Sequence, residues 1–395
     1  MQNSALRNRN FLTYLIGNTI SLHGLWVYRV ALGWSAWQLT GSEFWVGLVA
    51  FAQFAPVMFF GPFFGVLADR FDRRKASFLI NALSTGNATI LALFAAFGNL
   101  DIVVLASLAF IQGVLDGAHM PVRMSLVANL VPPAQLQSAI ASTSISFNLS
   151  RFFGPAIAGV IIAVFGVAAA FASNAVSYLA ILTALLLIRP LPRGSGKVST
   201  SNIGHELREG IHYVLHRQPM RSLLIIIAIA SVFGRGALEM LPPFADAVFQ
   251  RGSGALAMLT SAIGAGAIIA GVALARGSDW LDIRVVTGGV IIGGIMISVF
   301  SATGNFWVAL CIVTSLGFVL SICGIGSQIL LQSLVDDEIR GRVSSLCGMV
   351  AFGGTAVGGL LVGTAADLYG LTNTIFVTGL CCASLAGIVA WRRRY

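Results

Sequence analysis

Gly61-Pro-Phe-Phe-Gly65-Val-Leu-Ala-Asp69-Arg70-Phe-Asp72-Arg73-Arg74-Lys75 decides the fold of this chain. The stretch ends one long apolar segment and starts the next, and it crowds glycines, acids and four bases into a very short loop. Two membrane-crossing helices joined this tightly leave no room for a soluble domain. Composition agrees. The 395 residues are 57% hydrophobic and only 10% charged, with a mean hydropathy of +0.87, too little charge for a soluble chain of this length. Stretches of about 20 apolar residues recur, each long enough to cross a bilayer. No signal-peptide cleavage pattern is read at the N-terminus, so Phe11 onward is expected to be a retained first span.

The pattern predicts twelve spans: Phe11–Leu39, Phe44–Leu67, Ala76–Phe97, Ile102–Met124, Ser138–Phe165, Ala168–Ile188, Arg221–Phe249, Ala255–Ala275, Val285–Ala302, Phe306–Val335, Val343–Ala366 and Leu371–Trp391. Residues 189–220 are rich in Pro, Gly, Ser and charge, the composition of a flexible linker followed by a short amphipathic stretch. The expected division is an N-terminal bundle 1–188, a linker 189–220 and a C-terminal bundle 221–395. Alternate loops hold nearly all the loop arginines, from Arg7 and Arg9 through the 70–75 loop to Arg392, Arg393 and Arg394; the other set holds Arg251 alone. By the positive-inside rule both termini and the linker face the cytoplasm. The same rule accounts for the net charge of +9, so no nucleic-acid partner is expected.

The halves carry an internal repeat. Leu126-Val-Ala-Asn-Leu130-Val131 matches Leu330-Leu-Gln-Ser-Leu334-Val335, and the same offset of 204 takes Gly154 to Gly358 and Gly159 to Gly363. An offset of 206 takes Gly65 to Gly271 and Arg70 to Arg276. An even number of spans per half gives a parallel repeat, with the substrate site expected between the halves near mid-membrane.

Gly65 to Lys75 resembles the loop between helices 2 and 3 of the major facilitator superfamily, Gly-x-Leu-Ala-Asp-Arg-x-Gly-Arg-Arg/Lys, with Asp72 in place of the second Gly. Further stretches resemble the macrolide-efflux and enterobactin-exporter-like branch: Ala31-Leu-Gly33-Trp34 with Leu39-Thr-Gly41-Ser42, Pro121-Val-Arg123, Asn148-Leu-Ser-Arg151-x-x-Gly154-Pro155-x-x-x-Gly159, Leu241-Pro242-x-x-Ala245 and Arg340-Gly341-Arg342-Val343-Ser344. The resemblance implies an all-α integral membrane fold of twelve transmembrane helices in two pseudo-symmetric six-helix bundles. It implies a secondary exporter of the bacterial inner membrane, working as a monomer. It implies that Gly65, Asp69, Arg70, Arg73 and Arg74 form a gating loop, Asp69 trading basic partners between conformations. It also implies that Gly154, Pro155 and Gly159 form an antiporter-like motif.

Charges inside spans are few: Arg29, Asp116, Arg151, Arg235 and Glu239, with His23 and His119 beside them. Each costs at least ~2.5 kcal/mol at a helix centre, so each is paired or faces water and is a functional candidate. Asp116, His119 and Arg123 share one helical face, either as a graded polar path or as a static brace. Arg235 and Glu239 are an i, i+4 pair just before Pro242-Pro243, where lost backbone bonds weaken the helix. Glu239 is a candidate proton site, because an acid whose cationic partner can be drawn away releases its proton conditionally. Arg29 aligns with Arg235 at the 206 offset. The two either present forks to an anionic substrate, or Arg29 pairs with Asp116 or Glu239. Gln328 and Gln332 are candidates to hydrogen-bond a polar substrate or a neighbouring helix. The aromatics of helices 1 and 2, among them Trp26, Trp34, Trp37, Phe54 and Phe59, are expected mostly at lipid or interface.

Cys311, Cys323, Cys347, Cys381 and Cys382 lack metal-site spacing and are expected to be buried. No nucleotide loop, zinc signature or Ser-His-Asp pattern is read, so no enzyme, cofactor or metal is expected. The function expected is proton-antiport export of an amphipathic organic molecule, siderophore or drug-like. A carrier of lysophospholipid or another lipid, or an uncoupled facilitator, is the alternative. Small-molecule substrate, protons and membrane lipids are the expected partners.

Overall fold

The computed structural model describes residues 4–68, 72–189, 203–277, 280–336 and 339–392. Every regular element among them is helical. The membrane helices are α1 (Arg9–Thr40), α2 (Glu43–Ala68), α3 (Arg73–Ala96), α4 (Ile102–Leu130), α5 (136–165), α6 (167–187), α7 (Gln218–Val248), α8 (Gly252–Ala275), α9 (Ile283–Ala302), α10 (Phe306–Leu334), α11 (Arg340–Tyr369) and α12 (Leu371–Arg392). Together they make the twelve-helix, two-bundle fold. α5 and α6 run on from one another over Leu136–Leu187, and the chain reverses at Gly166, where φ is 80°, a value glycine adopts without steric cost. The reversal brings both ends to one side: Ser138 accepts from the Ala5 amide, and the carbonyl of Arg189 accepts from Asn10.

Short polar residues at the loops start these helices. Asn8, Asp101, Asp282 and Asn305 each accept a backbone N–H in the first turn of the helix that follows. Asp72, which replaces a glycine of the family pattern, does the same for α3, accepting from the Lys75 amide at 2.8 Å. Such a cap stabilises a helix end by about 1 kcal/mol. Gly65 lies within α2 rather than at a turn. Asp69, Arg70 and linker residues 190–202 lie outside the described residues. The linker's amphipathic stretch forms a helix, Ile203–His216. It docks on the C-terminal half, where Glu209 pairs with Arg342 at 2.7 Å and the Tyr213 hydroxyl donates to Asp336 at 3.1 Å.

The ends of the bundle differ. At the end opposite both termini, one apolar cluster draws on both halves, with Val30, Leu32, Val46 and Val49 against Leu241, Phe244, Leu256 and Leu259. Glycines let backbones meet there. A Cβ on Gly363 would stand 2.5 Å from the Glu43 carbonyl oxygen, and one on Gly264 would stand 2.6 Å from the Cα of Phe152. So α2 packs on α11, and α5 on α8. Two hydrogen bonds tie the halves at this same end, Trp37 Nε1 to Asp246 Oδ2 at 2.9 Å and Ser42 Oγ to Asp367 Oδ1 at 2.8 Å. Towards the arginine-rich end the core divides. Phe11, Tyr14, Leu126 and Leu185 pack within the first half, and Val214, Leu223 and Val343 within the second.

Two sequence expectations are corrected. Trp34 and Trp37 are buried in the cluster that joins the halves, because the apolar side of a helix facing protein looks the same in sequence as one facing lipid. Phe59 does lie on the surface. Cys323, Cys347 and Cys382 are buried, whereas Cys311 is exposed and Cys381 half-buried. The glycine contacts within a half make a direct test. A Cβ on Gly266 would fall on the Thr314 carbonyl and stand 2.5 Å from the Phe318 nitrogen, while one on Gly271 meets nothing. Gly266→Ala is expected to destabilise by about 1–3 kcal/mol and to lower the melting temperature in detergent. Gly271→Ala should leave it unchanged.

Candidate functional site

α7 is the least regular span. It changes to π-helical spacing over Ala230–Arg235, breaks at Glu239–Met240, and is π-helical again over Phe244–Val248. Pro242 and Pro243 carry no N–H, so the carbonyls of Leu238 and Glu239 lose their usual helical donors. π-turns recur at functional positions because they re-aim side chains. Here one ends on Arg235, and the break falls on Glu239. Arg235 is exposed although it sits mid-span. It lies against α10, where a Cβ on Gly324 would stand 3.4 Å from its Nη2. Gln328, one turn further along α10 on the same face, is also exposed, as is Gln332; neither has a hydrogen-bond partner among the described residues.

Arg29 of α1 extends over two rings, 5.0 Å from the centroid of Trp26 and 5.6 Å from that of Phe54. Its Nε is buried without a hydrogen-bond partner. The guanidinium stands within Coulombic reach of Asp116 in its own half and of Glu239 in the other, and Glu239 is also reached by Arg235. Arg151 of α5 approaches the same Trp26 ring at 5.9 Å and is within Coulombic reach of Arg29 and Arg235. Three guanidiniums and two carboxylates thus converge between the halves, and the acids close no ion pair with the arginines among the described residues. Glu239 lies beside Gly359 of α11, which also touches Ala50 of α2. The acid therefore stands where the two halves meet.

Asp116 has another neighbourhood. It accepts from Gln112 Nε2 at 3.0 Å. The Gln112 carbonyl oxygen accepts from Asn87 Nδ2 at 3.2 Å, and Gln112 Nε2 also lies 3.3 Å from the Tyr178 hydroxyl and 3.4 Å from Ser84 Oγ. The network ties α3, α4 and α6. Replacing Gln112 with Leu leaves Asn87 without one acceptor in a buried place, a cost of about 1–3 kcal/mol. Gln112→Leu is therefore expected to lower thermal stability in detergent, more than Gln328→Leu.

His119 makes no hydrogen bond among the described residues, so it does not brace Asp116. Arg123 sits against Met120 Sδ at 3.6 Å and within Coulombic reach of Asp116. His23 faces α5, with its Nδ1 2.8 Å from the Thr19 carbonyl and 3.1 Å from Ser150 Oγ. Gly154 gives α5 its approach to α1, since a Cβ there would fall on Trp26, and Gly159 gives the approach to Ala257 of α8. Pro155 lies buried between them. Arg74 donates to the carbonyls of Leu185 and Leu186 at the end of α6, and Arg73 is engaged as well.

Sequence reading missed two parts of this arrangement. Asp246 is an acid within a predicted span, and its partner Trp37 was expected at an interface. The Ser84, Asn87, Gln112 and Tyr178 network was missed too, although Asn and Gln repeating inside apolar spans were its signal.

Comparison with known proteins gives one direction. The staphyloferrin A transporter of Staphylococcus aureus is 24% identical, with 90% of this chain and 89% of that one covered. Macrolide efflux protein A of Streptococcus pyogenes is 22% identical over 95% and 94%. A bacterial homolog of the human lysosomal transporter Spinster, solved in an inward-facing and occupied conformation, shares the fold with a TM-score of 0.77 at 15% identity, covering 97% and 96%. Residues 2–394 match the family described as transmembrane secretion effector. These relatives are carriers rather than enzymes, and this chain belongs to that family of major facilitator transporters.

Proposed function

We propose that the protein exports an amphipathic organic molecule, siderophore or drug-like, across the bacterial cytoplasmic membrane by proton antiport. The observation that carries this reading is the place of Arg29, within Coulombic reach of an acid in each half and closing an ion pair with neither. A cation that two acids share lets one hold a proton while the other is ionised. Moving the halves changes which acid it serves. In this reading Glu239 and Asp116 carry the protons. Arg29 and Arg235 change partners, and Arg151, His119, Gln328 and Gln332 line the substrate's way.

The charge pattern supports placing the arginine-rich end, both termini and the 189–220 linker in the cytoplasm. The halves 1–188 and 221–395 then meet on the outer side and part towards the cytoplasm, an arrangement suited to receiving cargo from within. The 65–74 loop, including Asp69 and Arg70, would hold the opposite state. The working unit is one chain. The lipid-carrier alternative gains little, because the apolar groove lined by Ile16, Ile20, Leu179 and Leu187 opens on the surface of one half and has no charged residue in its lining.

Inside-out vesicles test the reading. Staphyloferrin A and erythromycin, supplied separately with an acid-inside gradient, should show accumulation of at least one, abolished by a protonophore. Accumulation of a lysophospholipid alone, indifferent to the gradient, would replace this reading with the lipid carrier.

A further inference from the structure

Around Asp116 the first half holds more buried polar atoms than its hydrogen bonds use. Asn174 of α6 is fully buried; its amide lies close to the Tyr178 hydroxyl, but neither its Nδ2 nor its Oδ1 reaches a partner with hydrogen-bond distance and angle, and the hydroxyl of Tyr28, 1% exposed, has no partner either. Both belong to the surroundings of one carboxylate. Tyr28 is within Coulombic reach of Asp116 and of Tyr178. Tyr178 lies one turn beyond Asn174 on α6, and its hydroxyl is 3.3 Å from the same Gln112 Nε2 that donates to Asp116. Gln112 has two N–H donors and faces three acceptors, Asp116, Tyr178 and Ser84. One amide cannot satisfy all three. A half-buried carboxylate with a single donor, beside a buried amide and a buried phenol with none, is an energetically costly set unless something bridges them.

We infer that Asp116, Tyr28, Tyr178 and Asn174 enclose a site for internal water, which supplies the missing hydrogen bonds and gives Asp116 a partner for proton exchange. Buried waters typically make about three hydrogen bonds to groups of this kind. The site is better suited to water than to a metal cation, because Arg29 and Arg123 both stand within Coulombic reach of Asp116. The titratable groups facing Asp116 are Arg29 and Tyr28 from α1, His119 and Arg123 from its own helix, and Tyr178 from α6. α3 offers Ser84 and Asn87, and α2 meets this stretch of α4 through backbone at Gln53 and Val57. Asn174, Tyr28 and Tyr178 are positioning residues, acting through water on the proton of Asp116. The inference rests on the proposed proton role of Asp116, but its physical test does not require transport.

The test uses infrared difference spectroscopy of the purified full chain across a pH titration, with Asp116→Asn identifying the Asp116 carboxyl band. Asn174→Val and Asn174→Thr are nearly the same size, and only the second keeps a hydrogen-bonding group. Asn174→Val should raise the protonation midpoint of Asp116 by about one pH unit, as expected on losing a hydrogen bond to a charged group, and should move the carboxyl band to higher frequency. Asn174→Thr and Tyr28→Phe should fall between Asn174→Val and the native protein. If the site is dry, Asn174→Val removes an idle polar group, so it would raise thermal stability and leave band and midpoint where they were. That result overturns the inference. A midpoint that moves as described while Asp116→Asn still exports against a gradient would keep the hydrated site and remove Asp116 from coupling.

Discussion

Glu239→Gln is expected to abolish gradient-driven export while the protein still folds and inserts. The substitution keeps the size and polarity of the side chain and removes only its ability to give up a proton. It sits beside Gly359, where the halves meet, and within Coulombic reach of Arg29 and Arg235. In the proposed mechanism, a permanently neutral group there leaves Arg29 with Asp116 alone, so the exchange of partners that would link proton to conformation cannot run. In vesicles, the acid-inside gradient should give no more accumulation than vesicles without the protein. Exchange of labelled for unlabelled substrate, which needs no net proton movement, should survive. Full gradient-dependent accumulation in this variant would take Glu239 out of the coupling.

The second large effect is expected at the closure of the end opposite the termini. Trp37 donates to Asp246 across the halves at 2.9 Å, at the end where the shared apolar cluster lies. A hydrogen bond to a charged group contributes about 1.5–3 kcal/mol, and a shift of that size moves a two-state equilibrium about 10- to 100-fold. Asp246→Ala should therefore shift the halves apart at this end. Spin labels at Asn99→Cys and Gly304→Cys, in a background without native cysteines, should report a longer-distance population that grows in Asp246→Ala and in Trp37→Phe. The double variant should add little, since both lose the same bond. An unchanged distance distribution would mean that the apolar cluster alone holds this end closed.

The parts legible in the sequence are those whose cost is high and local. A charge inside an apolar span needs a reason to be there, which is why Arg29, Asp116, Arg151, Arg235 and Glu239 stand out from the chain's hydropathy alone. The prolines after Glu239 signalled the irregular α7 for a similarly local reason. The parts that stayed hidden depend on what lies opposite. The apolar environment is shared by lipid and protein, so hydropathy could not say that Trp34 and Trp37 turn inward. Asp246 looks like an end-of-helix acid until α1 is brought against α7. Asp72 stood out in the sequence only as a departure from the family's loop pattern, yet it caps α3, which follows from its distance to the Lys75 amide and not from its charge. The polar network around Gln112 required three helices to be placed together.

In the proposed antiport, substrate binding and loss of a proton from Glu239 or Asp116 are linked, and proton release from the purified protein measures that link. The protein is held in weakly buffered detergent with a pH-sensitive dye, and staphyloferrin A, erythromycin and a lysophospholipid are added in turn. Release by at least one compound is expected, lost in Glu239→Gln and reduced in Asp116→Asn. The sign matters. A ligand that takes a carboxylate's place beside the arginines leaves the acid to bind a proton, so an anion captured by Arg29 and Arg235 would cause uptake. Uptake, or binding with no proton movement at all, would contradict antiport.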